Sequence, residues 1–208
     1  MNSRRQARRH MRTSISLAVA LVTSGMAASI LWDGYRARRA EPPQALLPAG
    51  SSYGDAANAM MEKSWASRDP ALMQAARTMS WRELRAAPVN PLGWIRLAQI
   101  EFELGAGHEA AARQALANSF LVGPFSSRAF GARTVLAYQH WAELTPELRQ
   151  QVLAHIDMAW QSGVQRAAIA AMPPRIGNSI GQQALSLKIA SLKLPQIIIE
   201  TPDVGVQP

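Results

Sequence analysis

Residues 90–124, NPLGWIRLAQIEFELGAGHEAAARQALANSFLVGP, decide the fold. Asn90-Pro91 is a helix start: a side-chain acceptor at the N-cap, then a proline where its missing N–H costs nothing. Trp94, Leu97, Ala98 and Phe102 follow at helical spacing on one apolar face. The helix ends near Gly105. A partner helix runs from about Gly107 to Leu121, rich in alanine, and Gly123-Pro124 stops it. Two helices joined by a short turn cannot bury their apolar faces alone, so such a hairpin calls for similar neighbours.

The flanking sequence supplies them. Upstream, a helical pattern from Asp55 carries Ala57, Met60, Met61 and Trp65. Asp69-Pro70 opens the next helix, which runs to about Ala87 before Pro88 and Pro91. Downstream, Ser126 or Ser127 caps a helix with Val135, Leu136, Tyr138 and Trp141. Thr145-Pro146-Glu147 opens another with Leu148, Val152, Ile156 and Ala159 on one face. No strand is read between residues 53 and 162. A shift of 36 residues aligns Ala75-Ala76-Arg77 with Ala111-Ala112-Arg113, and then with Arg149. It also aligns Leu84 with Phe120 and Ile156, Pro88 with Pro124, Trp94 with Phe130, and Phe102 with Tyr138. Three helix–turn–helix units result, at 53–88, 89–124 and 125–161. A segment at 164–172 ends at Pro173-Pro174. A last helix at 179–193 sets Ala184, Leu187, Ala190 and Leu194 at helical spacing and caps the stack. The tail, 195–208, holds Ile197, Ile198 and Ile199 between prolines, a β-prone run suited to adding a strand to a partner's sheet edge. A tail that lies on its own domain or stays disordered is the alternative.

The middle unit resembles a tetratricopeptide repeat. Trp94, Leu97 and Ala98 match the first helix of that family's motif, Gly105 its turn, and Ala110 and Ala115-Leu116 its second helix. Pro124 follows a little later than that family would place it. The resemblance covers about 110 residues. It implies an all-α fold: an α-solenoid of about three such units, a capping helix and an extended tail. It also implies ligand contacts from the first helix of each pair, on the concave side. Carried onto this chain, those are Ile95, Gln99 and Phe102; the 36-residue shift adds Val135 and Tyr138. Packing of Phe102 and Tyr138 between repeats is the competing role.

Composition separates this domain from its leader. The chain has 208 residues and a net charge of +8. Residues 1–40 carry +7 of it, from eight arginines against Asp33, and leave the rest nearly neutral. Residues 14–32, SISLAVALVTSGMAASILW, hold no charge. As a helix they would span about 28 Å at 1.5 Å per residue, close to the hydrocarbon thickness. Arg4, Arg5, Arg8, Arg9 and Arg12 precede this span, and Arg36, Arg38 and Arg39 follow it. The larger basic flank favours a cytoplasmic N-terminus and a periplasmic repeat domain, with the span in the bacterial inner membrane. The arginines therefore read as a topology signal, not a nucleic-acid site. The organisation is a leader at 1–13, a transmembrane helix at 14–32, a linker with prolines and arginines at 33–52, repeats at 53–194 and a tail at 195–208.

Two alternatives attach to the leader. Gly25-Met26-Ala27 offers a cleavage site, so a secretory signal peptide is the rival of the anchor. Ala20, Ser24 and Ala28, with Gly25 and Ser29, place small residues four apart, which would let two membrane helices form a homodimer.

Chemistry is sparse. Without cysteine there is no disulfide, thiolate nucleophile or Cys-ligated zinc. His10, His108, His140 and His155 are scattered, and His108-Glu109 lacks the second histidine of a zinc-protease helix, so no metal site is expected. Residues 105–110 fit a G-x-G-x-x-A pattern, but a helix precedes them, so they read as an interhelical turn rather than a dinucleotide loop. Ser186 with Lys188 and Ser191 with Lys193 diverge around a helix and make no dyad. Glu101 and Glu103 diverge likewise and read as solvated charges. The tryptophans after the leader read mostly as core wedges. Arg77, Arg113 and Arg149 suit pairing with acids or a weak anion site.

No catalytic residue or cofactor is expected. The plan resembles small anchored repeat proteins associated with bacterial surface-polysaccharide assembly and export. The expected function is a non-enzymatic, membrane-anchored scaffold or adaptor that binds envelope proteins. The alternative is a secreted periplasmic repeat module for a peptide or glycan. An envelope-polymer enzyme using a glutamate as general acid is the third reading.

Overall fold

The computed structural model describes residues 50–194. Among them run eight α-helices: α1 Gly50–Ser67, α2 Pro70–Ala86, α3 Pro91–Leu104, α4 Glu109–Val122, α5 Ser127–Gln139, α6 Pro146–Trp160, α7 Gly163–Ala170 and α8 Ser179–Lys193. Short 3-10 turns at Trp141–Glu143 and Pro173–Arg175 complete the order, with no strand among the described residues. The chain is all-α over this range. The leader, the 14–32 span with its small-residue positions, residues 33–49 and the 195–208 tail lie outside the described residues. No described helix is long and apolar enough to cross a membrane.

Local capping explains where the helices begin. The Asp69 side chain accepts from Ala71 N at 2.9 Å, Asn90 from Leu92 N at 3.1 Å and Thr145 from Leu148 N at 3.3 Å. Each cap is followed by a proline at the first helical position, which needs no partner for an N–H. The interhelical turn expected at 105–110 occupies residues 105–108, with Gly105 at φ 72° and Gly107 at φ 89°, and residues 109 and 110 already belong to α4. Two boundaries differ from the sequence reading. Helix α1 begins at Gly50, within the segment read as linker. Helix α5 stops at Gln139, so Trp141 starts a 3-10 turn instead of continuing the helix. The chain must become extended at Thr145 (ψ 158°) ahead of Pro146, which disfavours helix in the residue before it.

Two compact units divide between Arg133 and Thr134, inside α5. In the first, α1 with α2 and α3 with α4 form close antiparallel hairpins, and α2 packs on α3. Its core joins Ala56, Ala57, Met60 and Met61 of α1 to Met73, Ala76 and Met79 of α2 and Ile100 of α3. Alanine brings the backbones near, and flexible methionine fills the remaining gaps. In the second unit α6 packs on α7, while α8 lies against α6 and both 3-10 turns. Leu148, Val152, Ile156, Ile169, Leu185 and Ile189 are buried there. The positions aligned at 36 residues, Leu84, Phe120 and Ile156, are all buried.

The tryptophans depart from their expected core role. Trp160 is buried, but Trp65 is 46% exposed, Trp81 is 38% exposed, and Trp94 and Trp141 are half-buried. Helices that approach over alanine leave no room for an indole between them.

Candidate functional site

Two buried carboxylates organise the first unit. Glu101 on α3 is fully buried: Oε1 accepts from Arg77 Nε of α2 at 2.6 Å, and Oε2 lies 2.6 Å from His108 Nδ1. It is therefore not the solvated charge expected from sequence; only its neighbour Glu103 is exposed. Residue 101 falls three and four positions after Ala98 and Leu97, on the buried face of α3. Glu83 on α2 forms the second pair, with Arg96 of α3. Asn90 Nδ2 donates to Glu83 at 2.9 Å, and Arg96 Nε donates to Asn58 Oδ1 of α1 at 2.7 Å. Burial pushes the Glu83 carboxyl above its ordinary range, against the opposing pull of Arg96.

The pairs are crossed. Helix α2 supplies the arginine in one and the glutamate in the other. Sliding or reversing α3 would leave two buried carboxylates without their arginines, so the pairs favour one register of this hairpin junction. Both buried carboxylates are engaged by arginine, and their evident role is to clamp helices.

Arg133 closes the last turn of α4. It is fully buried, and donates to Ser119 Oγ at 3.1 Å and to the carbonyls of Ser119 and Gly123 at 2.5 and 2.9 Å. Its guanidinium stands 4.5 Å from the Phe120 ring centroid. A cation here satisfies carbonyls that have no partner within the helix and meets the negative end of its dipole. Burial lowers its pKa to about 10, so it stays charged at neutral pH.

In the second unit Tyr138 stacks on Trp141, with centroids 4.7 Å apart and planes 7° from parallel. The Tyr138 side chain is buried and its hydroxyl has no hydrogen-bond partner among the described residues. Burial and, secondarily, the charge of Asp157 raise its pKa. Gln139 Oε1 accepts from Gly177 N at 2.8 Å, and Asn178 caps α8 through Ile180 N and Gly181 N. Lys188 pairs with Asp157 at 2.5 Å. Arg149 donates to the carbonyls of Trp141 and Ala142. Thus Arg77 pairs with an acid in the first unit, while Arg149 binds backbone carbonyls in the second.

The residues expected to bind a partner fall as follows. Ile95 and Phe102 are buried in α3, with Gln99 half-buried beside them. In the second unit Val135 is half-buried and Tyr138 is fully buried. Phe102 and Tyr138 are each packed within their own unit. No group of three potential metal ligands occurs among the described residues; His140 lies 2.9 Å from Glu143.

The open surfaces lie elsewhere. A cleft of about 290 Å³ in the first unit is lined by Trp65, Arg68, Met73 and Glu103. One of about 500 Å³ in the second unit is lined by Trp160, Arg166, Leu192 and Lys193. Helix α8 turns Gly181, Leu185 and Ile189 inward. It leaves Ile180, Leu187 and its C-cap Leu194 outward, 56%, 72% and 69% exposed. These three are seven residues apart and form one stripe. Leu187 and Leu194, expected in the core, are thus on the outside. Helix α8 is apolar on two faces, and periodicity alone does not choose between them.

Comparison with protein-family models, curated proteins and solved structures finds no match for this chain.

Proposed function

We propose that the protein is a non-enzymatic scaffold or adaptor, anchored in a bacterial inner membrane through residues 14–32, with its helical units in the periplasm. The observation that carries the adaptor reading is the outward stripe Ile180–Leu187–Leu194 on α8. An apolar stripe at heptad spacing is complementary to an amphipathic helix of a partner, which would bury it as α8 buries its inner face. The resemblance to tetratricopeptide repeats and to anchored polysaccharide-assembly proteins suggests an envelope protein as that partner.

The test is a photo-crosslinking residue at Leu187 of the full chain in native membranes, with exposed Gln151 on α6 as control. A discrete envelope-protein adduct at 187, absent at 151 and lost on Ile180→Glu, is expected. Equal labelling at both positions would sink the adaptor reading.

The cleft beside Trp160 supports a second reading, a secreted binding module. Arg166, held over the Trp160 ring and bonded to Trp160 O, and Lys193 give the cleft a basic lining that suits an acidic peptide or glycan. N-terminal sequencing of the mature protein separates the two: a start near Ala28 favours the secreted module, and an intact leader favours the anchor.

A further inference from the structure

Both turns at one end of the first unit carry large apolar side chains that remain exposed. Trp81, in the last turns of α2, meets Trp94 of α3 edge-on with ring centroids 6.0 Å apart. Trp94 is fixed by its Nε1–H, which donates to Pro88 O at 2.8 Å. The α4–α5 turn abuts this α2–α3 turn, since a Cβ at Gly123 would come within 2.8 Å of Pro91 Cγ. At the tips stand Val89, Leu121 and Phe125, 72%, 78% and 82% exposed. Single exposed apolar residues are ordinary, but a cluster on adjoining turns marks an interaction surface.

The charge around the cluster is mostly positive. Arg82, Arg85 and Arg128 are exposed there, and none takes part in a salt bridge among the described residues. The one acid of residues 81–96, Glu83, is buried against Arg96. Residues 110–142 contain no Asp or Glu. The result is an apolar tip, two indoles behind it and an arginine rim with no carboxylate close in sequence to offset it.

The chain also enters the unit at this end. Helix α1 runs antiparallel to α2, and a Cβ at Gly54 would lie 2.8 Å from the Glu83 carboxylate near the end of α2. Gly50 therefore opens α1 on the side of the Trp81 and Phe125 turns. Only residues 33–49 separate it from the apolar stretch at 14–32.

The geometry points to a bilayer-contact face: Val89, Leu121 and Phe125 enter the headgroup–acyl boundary of an anionic phospholipid membrane. Trp81 and Trp94 sit at headgroup level, and Arg82, Arg85 and Arg128 bind lipid phosphates. Each residue type matches its depth, since aliphatic and phenyl groups partition inward, indoles prefer the interface and guanidinium groups pair with phosphate. Three exposed arginines (Arg82, Arg85 and Arg128) against one exposed acid at this end, Asp55 of α1, leave a net positive rim that is complementary to anionic headgroups. The inference rests on the anchor reading for its tether, while the face is read from the first unit alone.

The test uses the full chain in vesicles of phosphatidylcholine and phosphatidylglycerol. A chain without cysteine takes single labels cleanly. An environment-sensitive fluorophore is placed at Phe125→Cys or, at the opposite end of the hairpins, at exposed Ala106→Cys. Quenching by lipid-borne nitroxides should be several-fold stronger at 125 than at 106, and should fall when Leu121→Asp is added. Circular dichroism verifies that each variant is folded. Equal quenching at both positions in a chain that resists alkaline extraction overturns the face and leaves the anchor standing. Strong quenching at 125 in a chain that alkali strips from vesicles supports the face and overturns the anchor. Protection of the 125 label in native membranes but not in lipid vesicles assigns the face to a protein and overturns the lipid proposal.

Discussion

Arg77 Nε donates to Glu101 Oε1 at 2.6 Å across the α2–α3 junction, and the carboxylate has no exposure to solvent. Its second oxygen is 2.6 Å from His108 Nδ1, so one buried group ties α3 to α2 and to the turn before α4. Removing a partner from such a pair strands a charge in low dielectric. Arg77→Met strands the Glu101 carboxylate and should lower stability by about 3–5 kcal/mol, and an Arg77→Met, Glu101→Leu double variant should recover most of the loss. Denaturant unfolding of the full chain in detergent checks both. An Arg77→Met loss below that of an ordinary surface change would mean that the pair does not hold the hairpins together.

Glu83 makes a pH-dependent contribution. Its folded pKa is raised, chiefly by burial, so folding favours the protonated form. Stability from such a group is complete below the unfolded carboxylate pKa, about 4.3, and is lost as pH rises through the folded value. The stability of the wild type relative to Glu83→Gln should therefore decline as pH rises above about 4.3 and through the raised folded value. Urea titrations across that range measure it. A difference that grows with pH would show that Arg96 outweighs burial.

Legibility followed the range of each interaction. Asp69, Asn90 and Thr145 were readable as caps because each bonds an N–H two or three residues ahead. Leu84, Phe120 and Ile156, aligned at 36 residues, are each buried, which the apolar face of each helix already implies. The burial of Glu101 is legible in its spacing from Leu97 and Ala98, but its pairing is not, because Arg77 lies 24 residues away. In α8, Leu185 and Ile189 compete with Leu187 and Leu194 for the core, and tertiary packing decides between two apolar faces. Phe125 was hidden in a turn recognised only by Gly123-Pro124, and the apolar cluster appears only when Pro91 is brought against that turn.

Tyr138 gives a prediction opposite in sign to most core substitutions. Its ring is buried against Trp141, while its hydroxyl has no described partner. Tyr138→Phe keeps the stacking and removes a desolvated polar atom. It should be neutral or stabilising by about 1 kcal/mol. Tyr138→Ala should cost about 3–5 kcal/mol, since it leaves a cavity beside Trp141. A clear loss of stability in Tyr138→Phe would reveal that the hydroxyl has a partner.

Gly181 is set by a closer approach than any other glycine in the protein's described helices. A Cβ there would fall 1.6 Å from the Tyr138 carbonyl oxygen and 2.6 Å from its carbon, both backbone atoms at the end of α5 that cannot rotate away. Helix α8 can lie on this edge only because residue 181 has no side chain. Asn178 and Gln139 then hold the approach, the first capping α8 and the second accepting from Gly177 N. In Gly181→Ala helical propensity would improve, by about 1 kcal/mol, but the overlap would force α8 off α5 at a cost of about 3 kcal/mol or more. Net destabilisation of the second unit is therefore expected. It should appear in hydrogen exchange as lost protection in α8, while the first-unit hairpins, locked by Arg77–Glu101 and Glu83–Arg96, retain theirs. Unchanged protection in α8 would place this helix elsewhere in solution, and with it the stripe of Ile180 and Leu187.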